Sequence, residues 1–199
     1  MPLTAAAEVI CALGTEVSVY KATSDQRPTA DAMEVARRLN TAFTSICSPK
    51  CPQIAIFRNI TAANAMLILN GDDAKLVYAP KFFQSIDDNY GDGAIIAVIA
   101  HEFGHALDEI YPAKFKNAGS TPELRADAWS GCALAKVELS PSDLGGALAA
   151  LAKYPSPAHP NWALRLPALR TGYTGCNGDG AKFDSGVDRS KHLPAVSGK

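Results

Sequence analysis

The sequence predicts an α+β fold, mostly helical, with a small mixed β-sheet laid over a buried central helix. Three observations carry this expectation. Several segments repeat apolar residues at helical spacing between Pro and Gly punctuation. Three short β-prone runs cluster between residues 53 and 78. Finally, Ala94-Ile95-Ile96-Ala97-Val98-Ile99-Ala100 is apolar on every side, as a helix is when nothing around it is water.

In chain order, residues 8–13 and 16–20 are strand-prone runs around Gly14. Residues 28–46 form a helix, because Ala32, Val35, Ala36, Leu39 and Phe43 share one face while Arg37 and Arg38 point outward. Ser48-Pro49-Lys50-Cys51-Pro52 breaks it. Strands follow at 53–58, 65–69 and 75–78, the last two joined by the hairpin signal Asn70-Gly71-Asp72-Asp73. A short helix over 80–86 leads to Gly91-Asp92-Gly93, where Asp92 can cap the central helix, and Tyr111-Pro112 ends it. Helices over 122–137, 141–153 and 161–170 complete the fold. From Cys176 onward Asn-Gly-Asp-Gly and mixed polar residues predict a flexible tail, so residues 1–175 make one domain and 176–199 its appendage.

Composition narrows the function classes. The 199 residues are 47% hydrophobic with a net charge of −1. No apolar run approaches the ~18 residues that span a bilayer, and no charge excess favours nucleic acid or lipid.

The chemistry is concentrated in His101-Glu102-Phe103-Gly104-His105 on the central helix. Two imidazoles at i and i+4 lie one turn apart on one face and can grip one Zn²⁺, with Glu102 placed to take a proton from the water beside it. Half of the chain's four histidines are in this stretch. A catalytic site needs a third ligand. The longer H-E-x-x-H-x-x-G-x-x-H pattern is excluded, since Asp108 and Tyr111 stand where its glycine and histidine would be. Glu109 lies too far along the axis to ligate and is expected in solvent or supporting a ligand from behind. Glu123 is expected to ligate instead. It begins the helix over 122–137, with Asp127 one turn later to accept a hydrogen bond from one imidazole.

His101-Glu102-x-x-His105 followed by Glu123-x-x-Ala126-Asp127 resembles the gluzincin metallopeptidases. Within them it resembles the membrane CAAX proteases and heat-shock membrane proteases with their soluble periplasmic relatives. The pair His159-Pro160 with Arg165 six residues after the histidine matches the spacing in that family, and Ala63-Asn64-Ala65 stands where it carries an Asn-Ala element. The resemblance covers roughly residues 53–173 and lacks the membrane helices of the best-known members. It implies a zincin-like fold holding one catalytic Zn²⁺ on His101, His105 and Glu123. Glu102 would be the general base. His159, Arg165, Tyr154 and Tyr173 are the candidates to meet the oxyanion, and the resemblance favours His159 with Arg165; a structural role for Arg165, buried and paired with Glu123 or Asp127, is equally open.

The expected activity is zinc-dependent endoproteolysis of peptides or unfolded proteins. The alternative is a protein-binding or chaperone-like module that keeps the zinc and does not turn over. The strand over 75–78 is the candidate sheet edge for an extended substrate. His159 also stands in a proline-stiffened loop, where its imidazole could fill the open zinc position as a latch or cap the helix that follows. The resemblance to soluble periplasmic relatives implies a periplasmic or secreted setting, and the five cysteines lean slightly the same way, with Cys47 and Cys51 open to a small disulfide or to two reduced thiols.

Overall fold

The computed structural model describes residues 8–12, 20–49, 51–52, 54–70, 73–111, 114–153 and 159–195. The chain runs β1 (Glu8–Ala12), β2 (Asp25–Gln26), α1 (Ala30–Cys47), β3 (Ile54–Asn59), β4 (Ala65–Asn70), β5 (Asp73–Tyr78), α2 (Pro80–Tyr90), α3 (Asp92–Ile110), α4 (Pro122–Val137), α5 (Pro141–Lys153), α6 (Trp162–Gly175) and α7 (Gly180–His192). This is the expected α+β class, with a helical majority and a small sheet. No described helix is long and apolar enough to cross a membrane.

The sheet is mixed, in the order β1-β4-β5-β3-β2, with only β3 and β5 parallel. Asn70 faces Asp73 across the β4–β5 hairpin, as its turn residues predict. The period-2 rule then sorts the side chains. Ile56, Leu67, Leu76 and Tyr78 join the main core with α3, while Met66, Ile68 and Val77 form a second small core on the other face. Both faces are apolar, which explains the uninterrupted run of β4. Of the two N-terminal runs, residues 8–12 pair with β4 as an edge strand, and most of 16–20 lies outside the described residues. The expectation that 75–78 is an edge is corrected: β5 sits between β3 and β4, its ladder satisfied on both sides. A hairpin fixed one neighbour, but the parallel partner comes from a strand nearly twenty residues upstream and leaves no local signal.

Helix α3 runs through the middle of the molecule, buried from Gly93 to Asp108 except at Ile95. Its contact with α4 is close because position 104 has no side chain: a Cβ there would sit 2.6 Å from the Ala126 carbonyl oxygen. Helix α4 meets α6 in the same way, Gly172 against the backbone of Ala128. These two approaches bring α3, α4 and α6, the three helices that carry the chemistry, side by side.

The flexible tail is also corrected. Residues 180–192 form α7, started by the Asp179 side chain accepting from the Ala181 N–H at 2.8 Å. Phe183 is completely buried and Gly186 rests on Leu144 of α5. Asn-Gly-Asp-Gly is therefore a helix start, and a polar helix needs only one narrow apolar face to dock. Helix α6 likewise runs past the expected end, through Pro167 to Gly175. Two disulfides, Cys47–Cys51 and Cys132–Cys176, brace the helical layer. The second was invisible in sequence because its cysteines are 44 residues apart.

Candidate metal centre

The centre is assembled from α3, α4 and the turn before α6. On α3, His101 and His105 present their rings on one face, 5.0 Å apart and nearly perpendicular. Both are buried, as is Glu102 between them. Helix α4 starts at Thr121, whose hydroxyl accepts from the Leu124 N–H at 3.3 Å, with Pro122 in the first turn. That start aims Glu123 at α3. Its Oε2 lies 3.3 Å from His101 Nε2 and 3.7 Å from His105 Nε2.

His159 completes the group, its Nε2 3.0 Å from the same Glu123 oxygen. Donor atoms of His101, Glu123 and His159 all lie within 4.8 Å of one another. His105 stands slightly further from Glu123 than the other two rings. It belongs to the set nonetheless, because its Nε2 is buried with no hydrogen-bond partner. His101 Nε2 and Glu123 Oε2 are also buried without hydrogen-bond geometry. Buried polar atoms that converge and satisfy nothing are costly unless something else fills the space between them. Bonds of ~2.0–2.1 Å to a tetrahedral zinc put its ligands about 3.3 Å apart, close to the 3.0, 3.3 and 3.7 Å that separate Glu123 from the His159, His101 and His105 rings. The donor set fits a zinc ion.

Behind His101 runs a chain of charge. Its Nδ1 lies 3.0 Å from Asp127 Oδ1. Arg165 grips the same carboxylate with two bonds, Nε to Oδ2 at 2.8 Å and Nη2 to Oδ1 at 2.7 Å, and its Nη1 donates to the Leu151 carbonyl at 2.8 Å. Asp127 thus orients His101, one of the two histidines considered for it, and holds the ring proton on Nδ1 so that Nε2 faces the centre. Of the two roles open to Arg165, at the oxyanion or buried in an ion pair with Glu123 or Asp127, the structure has the second. It lies behind Asp127, on the opposite side of His101 from the donor cluster, where it holds the carboxylate that orients that ring. Tyr173 is buried against Phe183 and is a core residue, and Tyr154 lies outside the described residues. Glu109 is exposed, as expected.

Electrostatics follow from this packing. Burial pulls His101 down, but its bond to Asp127 and the Glu123 carboxylate facing its other nitrogen outweigh that and push it up to about 9. Burial, reinforced by the neighbouring His101, drives His105 down to about 3. Burial also lowers His159. Glu123 and Asp127 resist the upward push of burial and stay well below the usual carboxylate range, held by His101 and His159 in one case and by Arg165 in the other.

One supporting contact had no sequence signal. Arg125 on α4 donates through Nε to both oxygens of Asp108 on α3, at 2.9 and 2.8 Å, and through Nη1 to the Ser120 carbonyl. It clamps the start of α4, and hence Glu123, to the end of the histidine helix. Of the oxyanion, latch and capping roles that the sequence left open for His159, its place among the donors agrees with the latch. Compared with protein-family models, curated proteins and solved structures, the chain matches none.

Proposed function

We propose that this protein is a zinc-dependent metalloendopeptidase of the gluzincin type, with a zincin-like fold. The observation that carries the proposal is the convergence of His101 Nε2, His105 Nε2 and Glu123 Oε2 as buried atoms without hydrogen-bond geometry, next to a completely buried Glu102. A zinc ion held there would polarise a peptide carbonyl and lower the pKa of water. Glu102 accepts the proton of the attacking water and returns it to the leaving amine. Asp127, held by Arg165, keeps the His101 ring turned to the metal, and the Asp108–Arg125 pair keeps Glu123 in reach. The substrate class is peptide or unfolded protein. The disulfides Cys47–Cys51 and Cys132–Cys176 fit an oxidising compartment, periplasmic or extracellular.

One observation favours the second reading, a protein-binding or chaperone-like module that keeps zinc without turnover. His159 brings the donor count to four, and closed four-ligand cages are typical of structural zinc. The two readings separate in one experiment. Glu102→Gln should keep zinc and fold while cleavage of casein or a quenched peptide falls at least about a hundredfold. Glu123→Ala should lose the metal, whereas the exposed Glu109→Ala keeps metal and activity. A zinc-loaded wild type that cleaves no unfolded protein or peptide would select the binding module.

A further inference from the structure

We propose that the outer face of α1 is a docking surface for an acidic stretch of polypeptide. The inference is independent of the metal centre. Two clefts flank the helix at Arg37 and Thr41, which line both. One of about 500 Å³ lies between α1 and β3, bordered by Arg27, Met33, Arg37 and Ile56. The other, about 320 Å³, lies between α1 and the end of α4, bordered by Arg37, Arg38 and Lys136. Of the residues lining the two clefts, every charged one is a cation. The chain as a whole is slightly acidic, so this face is a local reversal of sign.

These cations are poorly neutralised. Among the described residues Arg27, Arg38 and Lys136 enter no ion pair, and only Arg37 has one, a fork onto Glu34. That pair is exposed on both sides, so an incoming carboxylate can replace Glu34 at little loss. Beyond the second cleft Lys114 is pulled below its usual value, by burial and then by the nearby Lys136. Glu34, which acts on Arg38 as well as on Arg37, is the counter-charge beside these clefts, and the excess of cations over it favours an anionic partner.

The apolar part selects the kind of anion. Met33 is 46% exposed between Arg27 and Arg37, with Ile56 at the cleft floor. An apolar side chain flanked by carboxylates fits there. No aromatic ring lines either cleft, so bases have nothing to stack on. A single exposed methionine is also too little apolar surface to enter a bilayer. Guanidinium forks beside an apolar seat match Glu and Asp side chains interspersed with leucine.

The test is fluorescence anisotropy with a labelled peptide of glutamates and leucines, its lysine counterpart, a single-stranded oligonucleotide and phosphatidylglycerol vesicles. The acidic peptide should bind, and its affinity should fall as salt rises. Arg38→Glu with Lys136→Glu, checked for an unchanged circular dichroism spectrum, should weaken binding at least about tenfold. Arg189→Glu with Lys191→Glu, on α7, should bind as wild type. Should the charge reversals disturb the fold, the neutral variants Arg38→Gln and Lys136→Gln are each expected to weaken binding measurably. The proposal is overturned if the lysine peptide binds as well, if the α1–α4 variants bind like wild type, or if the oligonucleotide or the vesicles bind more tightly.

Discussion

Replacing Arg165 with methionine isolates what the charge chain behind His101 contributes. Arg165 is 2% exposed and Asp127 and His101 are both 0%, so the substitution leaves a carboxylate in the core with one partner instead of two. Breaking a buried ion pair costs about 3–5 kcal/mol. His101 remains as a counter-charge, held near a pKa of about 9, so the lower end applies. A loss of about 3 kcal/mol lowers Tm by roughly 6–12 °C in a chain of this size. Removing both charges, Asp127→Leu with Arg165→Met, takes away the stranded carboxylate, so the double variant should lose at least about 2 kcal/mol less than the sum of the singles. Urea melts followed by circular dichroism, in chelator, measure both quantities. The same variant tests positioning against chemistry. Arg165→Met should weaken zinc binding roughly 10–100-fold through His101, whereas an oxyanion role would lower turnover and leave zinc affinity alone. A single variant within about 1 kcal/mol of wild type, or strict additivity of the pair, would refute the account.

Three further outcomes are expected. His159→Ala should raise basal cleavage, because the ring 3.0 Å from Glu123 fills the position that substrate or water needs; reduced turnover in a peptide assay would instead make His159 part of the chemistry. Phe183→Ala should cost about 3–5 kcal/mol in a thermal or urea melt, since the ring is completely buried, whereas a loose tail would give no change. The third concerns pH. Asp25 accepts from Lys75 at 2.6 Å and from Asn59 at 2.7 Å, and although burial pushes its carboxyl up, these bonds and Tyr20 hold it below its usual value. Its contribution is therefore full above the unfolded-chain value, about 3.9, and is lost as pH falls through the lower folded value. The stability gap between wild type and Asp25→Asn should close on acidification over that range, and a gap that widens would contradict the assignment.

Much of this molecule follows from residues that are near neighbours in the chain. The apolar stretch 94–100 could only be a covered helix, and His101 and His105 share a face because four residues make about one turn. Thr121-Pro122-Glu123 wrote its own helix start and set Glu123 and Asp127 one turn apart, so the candidate ligand and the carboxylate that orients His101 were legible together. The hairpin at 70–73 was equally local.

What the sequence left open depended on contacts between distant segments. The edge assignment of 75–78 failed because a parallel neighbour arrives through a crossover with no turn signature. The tail became α7 because Phe183 finds a seat between α5 and α6 that exists only once those helices have packed. Which of its two open roles Arg165 takes was decided in the same way. Spacing placed it near the site, but the side of His101 on which its guanidinium lies was fixed by the Leu151 carbonyl and the buried Asp127 carboxylate. Local order along a chain is set by backbone geometry and capping, which neighbouring residues control. Which buried charge faces which is set by desolvation, and that is decided only when the helices close around it.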